Sequence, residues 1–274
     1  MRLFVFGLGY TATRIADRLR TRGGGRVAGT TSETFGDRDC VTFEVAHATH
    51  ILSSVPPGES DPVLAAYGAE IAASGAALAY LSSTGVYGDT GGAWVDESAP
   101  TGTGRRSARA EADAAWLALG ARVFRLPGIY GPGRSPLDRV RAGQARRIDV
   151  PGQVFSRIHV DDIVEGVVAG FDAPPGAYNL ADDLPAPQSD VIACACTLLG
   201  LPVPPLVPLD AAGLSPQARA FYSENRRVAN GKAKRVLGWR PRYPDYRLGL
   251  RALSAITSPA STSTAPPAAS PDQR

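Results

Sequence analysis

Lysine is almost missing from this chain of 274 residues: of 29 basic side chains, only Lys232 and Lys234 are lysines. Any chemistry that needs an ammonium group therefore has two candidates. Cysteine is scarce too, at three, which excludes a disulfide framework. Cys194 and Cys196 stand two apart in a helical pattern, so they face different ways and do not share a metal. His47 and His50 sit at the entry to an apolar strand with no acidic or cysteine partner nearby, which points to capping or packing. No metal site is expected. No apolar run reaches membrane-spanning length and no signal peptide precedes the first strand, so no membrane partner is expected and the expected compartment is the cytoplasm. The net charge is only +3, and the arginines are scattered apart from doublets such as Arg146-Arg147 and Arg226-Arg227. Without a basic helix or arm, nucleic acid is not an expected partner.

What is present begins with Leu3 to Phe6, an apolar run followed by Gly7-x-Gly9-x-x-Ala12 and a helical pattern. This reads as a strand, a glycine turn and a helix N-terminus. Gly7 permits the turn, Gly9 lets the backbone approach a pyrophosphate, and Ala12 lets the helix pack close to the strand. Tyr10 and Thr11 lie in the same turn, at the helix end whose free N–H groups suit phosphates. Strand-like and helix-like segments then alternate, as expected for a parallel sheet covered on both faces. Strands are expected at Arg26–Thr30, Val41–Glu44, from His50, at Ala77–Ser82, at Ala121–Arg125 and at Gly176–Leu180. Helices are expected at Thr11–Arg22, Pro62–Ser74, Arg106–Leu119, Asp161–Phe171 and Gln188–Leu199. The proline-rich Leu201–Pro208 reads as an extended loop. Residues 258–274, rich in Ser, Thr, Ala and Pro, read as a disordered tail.

Four later motifs follow in order: Leu81-Ser-Ser-Thr-Gly-Val-Tyr-Gly88, Arg125-Leu-Pro-Gly-Ile-Tyr-Gly-Pro-Gly133, Arg157-Ile-His-Val-Asp-Asp162 and Ala177-Tyr-Asn-Leu-Ala-Asp182. Together with the glycine turn they resemble the extended short-chain dehydrogenase/reductases, which include nucleotide-sugar epimerases and dehydratases. The resemblance spans residues 1 to about 253. It implies an α/β fold, a Rossmann-type doubly wound parallel sheet with a small C-terminal substrate-binding part. Residues 1–257 would form a single NAD(P)-binding domain, with substrate-binding elements mainly from 130 onward. The resemblance places Ser83 at the catalytic Ser/Thr position and Pro127 and Gly128 in the segment that touches the nicotinamide. A homodimer stays open.

One departure is large. The family's general base is the tyrosine of Y-x-x-x-K, and none of the nine tyrosines here has a lysine four positions later. Counted back from Glu111, which resembles the family's helix glutamate, a one-residue shift gives Gly104 and Ala108, and the unshifted count puts the tyrosine position at Thr103 and the lysine position at Ser107. Neither supplies a base near neutrality unaided. The chain therefore resembles an atypical branch. Tyr87 is the first candidate acid, with Tyr130 and His159 as alternatives; for His159, just before Asp161-Asp162, a structural hydrogen bond at a helix start is the favoured reading, and Tyr130 also fits a packed rim aromatic. Tyr130, Arg134, Arg157 and His159 are the candidate substrate-binding residues for a small, anionic molecule. Arg109 is a further cation near that crevice.

The end of the second strand reads Gly29-Thr30-Thr31-Ser32 and lacks the acid that NAD-binding sheets use for the ribose. Thr31 and Ser32 could take a 2′-phosphate, so NADP is favoured over NAD as cofactor. Ser54, Val55 and Pro56 are expected to border the cofactor's ribose, with Ser82 on the neighbouring strand. The expected function is an NAD(P)-dependent oxidoreductase or epimerase/dehydratase-like enzyme. The competing expectation is a dinucleotide-binding sensor or assembly protein without hydride chemistry.

Overall fold

The computed structural model describes residues 1–23, 25–104 and 107–257; the expected tail, 258–274, lies outside the described residues. In chain order the first half runs β1 (Arg2–Phe6), α1 (Tyr10–Thr21), β2 (Arg26–Gly29), α2 (Arg38–His47), β3 (His50–Ser53), α3 (Pro62–Ala73), β4 (Ala77–Ser83), β5 (Trp94–Val95), α4 (Ser107–Ala118) and β6 (Arg122–Leu126). The second half runs β7 (Gly128–Tyr130), α5 (Pro136–Arg141), β8 (Arg147–Asp149), β9 (Arg157–His159), α6 (Val160–Gly170), β10 (Gly176–Asn179), α7 (Gln188–Leu199), β11 (Leu206–Pro208), α8 (Pro216–Ala220), β12 (Arg227–Val228), α9 (Gly231–Val236) and α10 (Tyr246–Thr257).

Six strands form one parallel sheet in the order β10-β6-β4-β3-β1-β2. The period of two in a strand sends Leu3 and Val5 to one face and Phe4 and Phe6 to the other. The first face packs on α1 and α6 through Ile15, Leu19, Ile163 and Val167. The second packs on α2, α3 and α4 through Val41, Val45, Val63, Tyr67 and Trp116. The chain is thus an α/β protein with a doubly wound sheet, as expected. The order reverses between β1 and β3, where diverging loops leave a crevice at the carboxyl ends of the strands.

Two expectations are corrected. Val41–Glu44 is not a strand but part of α2. The Asp37 side chain accepts from Cys40 N–H as a helix cap, and Val41 and Val45, four apart, are buried on one face. The short apolar run reads like a strand because its helical periodicity extends over only two buried apolar positions, Val41 and Val45. Leu201–Pro208 is not extended loop throughout, since Leu206–Pro208 pairs in parallel with Arg147–Asp149.

Beyond β10 the chain is anchored on α6. The Asp162 carboxylate accepts from Arg242 N–H at 2.6 Å and Tyr243 N–H at 3.1 Å, and the Trp239 indole donates to the Asp162 carbonyl. A separate apolar cluster, including Leu137, Val191, Ile192, Tyr246 and Leu250, joins α5, α7 and α10. This places the second half of the chain over the crevice.

Candidate functional site

A cavity of about 1290 Å³ opens along the carboxyl ends of β1, β3, β4 and β6. Its floor is the glycine turn. Gly7 has φ +81°, a conformation that favours glycine, and a Cβ there would lie 2.8 Å from Val55 Cγ2. Its N–H donates to Thr30 Oγ1, and its carbonyl accepts from Ser54 Oγ. Gly9 is the N-cap of α1 and has no side-chain cap. A Cβ there would meet nothing within 4 Å, so the backbone is open to the cavity. The helix N-terminus behind it has unsatisfied donors and a positive dipole end. Tyr10, Thr11, Ser54 and Pro56 line the same end. Ala12 is fully buried against the sheet, and Val55 packs with the core.

Ser83 ends β4 and lines the cavity with Thr84 and Gly85. Its Oγ accepts from Gly85 N–H at 3.1 Å, which leaves its own proton available to a substrate oxygen. Ser82 also touches the cavity, but its hydroxyl donates to Asp113 at 2.6 Å. Pro127, Gly128, Arg134 and Arg157 line the cavity as well.

Other expected site residues are placed elsewhere. Tyr87 is 1% exposed and does not line the cavity. Its hydroxyl donates to Asn179 Oδ1 at 2.7 Å and accepts from Arg125 Nη1 at 3.0 Å. Burial pushes its phenol above the usual range, against the pull of Arg125 and of the hydrogen bonds to Arg125 and Asn179. Arg125 in turn grips Asp113 with two hydrogen bonds, of 3.0 and 2.7 Å. Tyr87 thus belongs to a buried network that ties β4, α4, β6 and β10 together. Tyr130 lies under α10, so close that a Cβ at Gly249 would touch its hydroxyl. His159 is 2% exposed; its Nδ1 accepts from Asp161 N–H as the cap of α6, and its ring packs at a tilt against Tyr243 and meets Tyr130 edge-on. Burial lowers its pKa, which keeps it neutral. In each case the motif is real, but the side chain points into the protein. Thr31 and Ser32 are exposed at the end of β2 and do not line the cavity; the Thr31 N–H is bound by Thr34 Oγ1.

The rest of the lining was not legible beforehand. Arg139, Arg146 and Arg226 join Arg109, Arg134 and Arg157, so six arginines line the cavity, with Glu224 as the acid among the lining residues. Arg157 is 6% exposed, and its guanidinium donates to the carbonyls of Phe155 and Ala186 and to Gln188 Oε1. Phe155, Ile192, Leu214 and Tyr222 supply apolar surface between these cations. An arginine doublet such as Arg146-Arg147 or Arg226-Arg227 carries no local sign of where its side chains go. Among the described residues, no group of three or more His, Cys, Asp or Glu side chains could hold a metal ion.

No protein-family model matches the chain. A conserved protein of unknown function from Silicibacter pomeroyi is 46% identical, with a TM-score of 0.84 over 93% of this chain and 98% of that one. The chain belongs to one family with that protein, and its fold is that of the extended short-chain dehydrogenase/reductases. The human epimerase family protein SDR39U1, solved with NADPH, is 17% identical at a TM-score of 0.72, over 93% of this chain and 99% of that one. A dTDP-glucose 4,6-dehydratase from Bacillus anthracis, solved with NAD, is 16% identical at a TM-score of 0.71, over 93% and 96% of the two chains. A 3-diazoavenalumate denitrifying reductase from a Streptomyces species is 32% identical over 144 residues, 48% of this chain. The match spans 46% of that relative's length.

The dehydrogenase/reductase fold makes the missing tyrosine–lysine pair visible in space. At the tyrosine position, Thr103 donates to the Tyr87 carbonyl at 3.0 Å; at the lysine position, Ser107 is the exposed first residue of α4. Lys232 lies over the Tyr178 ring and Lys234 pairs with Asp183, so no lysine lines the cavity.

Proposed function

We propose that this chain is an NAD(P)-dependent oxidoreductase acting on a small anionic substrate, within the oxidoreductase and epimerase/dehydratase group of its fold. One observation carries the reading: a single cavity is lined by the open Gly9 turn, by Ser83 and by six arginines. The residues fit a dinucleotide. Gly9 leaves room for a pyrophosphate at the N-terminus of a twelve-residue helix, and Pro127 and Gly128 lie where a nicotinamide would be bordered. A bound nicotinamide dinucleotide would supply or accept the hydride. Ser83 would donate a hydrogen bond to the substrate, and the arginines would hold its anionic group. The relatives whose names include a reductase, or whose structures hold NAD or NADPH, support this reading.

NADP is the proposed preference, on the hydroxyls of Thr31 and Ser32 and the absence of an acid at Thr30–Ser32. Arg38 is engaged with Glu70 and the Ala66 carbonyl and does not contribute. A second reading, dinucleotide binding without hydride chemistry, is favoured by the loss of the tyrosine–lysine pair. A soluble enzyme working in the cytoplasm, as a monomer or homodimer, is the proposed setting.

Calorimetric titration with NAD, NADH, NADP and NADPH tests the reading. Binding of one pair, with the phosphorylated form tighter, is expected. No binding of any of the four overturns it. Binding without turnover of any metabolite in an absorbance screen favours the sensor reading.

A further inference from the structure

The cavity contains two phenols, and they are in different situations. Tyr10 sits on the glycine turn, its hydroxyl donates to the Pro132 carbonyl at 3.1 Å, and its ring lies under the Arg14 guanidinium. Tyr222 lines the far wall, and its hydroxyl has no hydrogen-bond partner among the described residues. The segment that carries Tyr222 is clamped onto the exit from β4. Asn225 N–H donates to Asp89, the Asn225 carbonyl accepts from Thr90 and Gly92, and Arg226 Nη1 donates to the Gly88 carbonyl at 2.6 Å. Gln153 holds the Glu224 carbonyl from the other side, and the Tyr222 ring rests edge-on against Phe155. The chain therefore ties this phenol to the loop that follows Ser83. No histidine or lysine lines the cavity, and its glutamate is paired with Arg226 at 3.0 Å.

We infer that Tyr222 is the proton donor of the proposed reaction, supplied from the C-terminal segment in place of the missing tyrosine of the Y-x-x-x-K motif. This rests on the oxidoreductase reading. In the reducing direction, the carbon of a carbon–oxygen or carbon–nitrogen double bond gains hydride from the reduced dinucleotide. The π pair becomes a lone pair on the heteroatom, which takes the proton from Tyr222 Oη. Burial pushes the Tyr222 phenol above its usual range, and Arg139 and Arg157 oppose that rise, so these two guanidinium groups would stabilise the phenolate left behind. Solvent then reprotonates it through the open cavity. The roles of the usual lysine pass to these two arginines.

The test uses the full chain labelled with 13C at the tyrosine ζ carbons, saturated with whichever reduced dinucleotide binds. The Tyr222 resonance is identified by its loss in Tyr222→Phe. It is expected to titrate, and to shift to higher pH in Arg139→Gln. A Tyr222 resonance unmoved by Arg139→Gln overturns the proposal with no substrate in hand. Against a panel of small keto, aldehyde and imine carboxylates, Tyr222→Phe is expected to lower kcat on the order of 10²-fold or more, with dinucleotide affinity unchanged. Turnover within threefold of wild type (roughly the scatter of a neutral change) likewise overturns it. Loss of dinucleotide binding by the wild type would instead be the failure of the oxidoreductase reading itself.

Discussion

Before residue 100 the cavity is lined by glycine, hydroxyl, proline and leucine side chains and by no charged group; from Arg109 onward it is lined by six arginines. The two walls meet a ligand by different physics. The first offers backbone N–H groups, a helix dipole and short hydroxyls, which suit a phosphate only when placed by a rigid turn. The second offers long cations brought together from α4, the loop after β7, α5, the loop after it, β9 and the segment before β12. It suits an anion whatever its scaffold, because guanidinium groups bind carboxylate and phosphate by shape and charge. The first wall is the common part of a dinucleotide fold, and the second is where a particular substrate would be chosen.

The arginine wall is held from behind by a buried acid, and this gives the largest expected effect. Asp182 is 1% exposed beside Arg157, and burial pushes its carboxyl up to about 8. The folded protein thus keeps a proton that the unfolded chain releases above about pH 4. Stability falls as pH rises through that window, by as much as about 1.4 kcal/mol per pH unit, and levels off above about pH 8. Asp182→Asn should remove the slope and melt higher than wild type at pH 8. Identical pH profiles of the two proteins would show that Arg157 keeps the acid ionised.

The network behind the uncharged wall should be nearly as sensitive. Asp113→Ala strands the buried Arg125 guanidinium, whose bond to Asp113 Oδ1 is 2.7 Å. The expected loss is about 3–5 kcal/mol in chemical denaturation. A loss below about 1 kcal/mol would mean that water replaces the carboxylate.

Gly9→Val separates binding from stability. Its Cβ would meet nothing, so the melting point should hold. The side chain would occupy the pyrophosphate's approach. Each charge-assisted hydrogen bond it prevents is worth about 1.5–3 kcal/mol, so affinity should fall on the order of 100-fold. Calorimetry showing unchanged affinity would remove the dinucleotide from this wall.

Tyr87→Phe has the smallest expected effect, and it draws the line between the two walls most finely. It deletes a hydroxyl bound to Asn179 and Arg125 and should cost about 1–3 kcal/mol of stability. Turnover should stay close to wild type, in contrast to Tyr222→Phe. A collapse of turnover without loss of stability would return the acid role to Tyr87.

Legibility followed range along the chain. The glycine turn was readable because its conformation is set by a few adjacent residues, and Gly9, Tyr10 and Thr11 line the cavity, as do Ser83, Pro127 and Gly128, which the family resemblance singles out. Tyr87 was found in the right motif but given the wrong environment, while His159 is the helix-start hydrogen-bonder that its place before Asp161-Asp162 suggests. A motif fixes where the backbone goes, whereas burial of a ring depends on Asn179 and Arg125 in one case and on Tyr130 and Tyr243 in the other. Arg139, Arg146, Arg226 and Tyr222 carried no local signal at all.

By itself, the sequence determined the alternation of strands and helices that builds a doubly wound sheet, and the glycine turn after its first strand. Those follow from periodicity, glycine geometry and capping, which act over a turn of helix or a single strand. Only the tertiary structure decided which side chains share the cavity. Residues 83 and 222 line one cavity because the Asp162 anchor and the Asn225 clamp fold the second half of the chain back over the first, and such long-range contacts are set by the packing of the whole molecule.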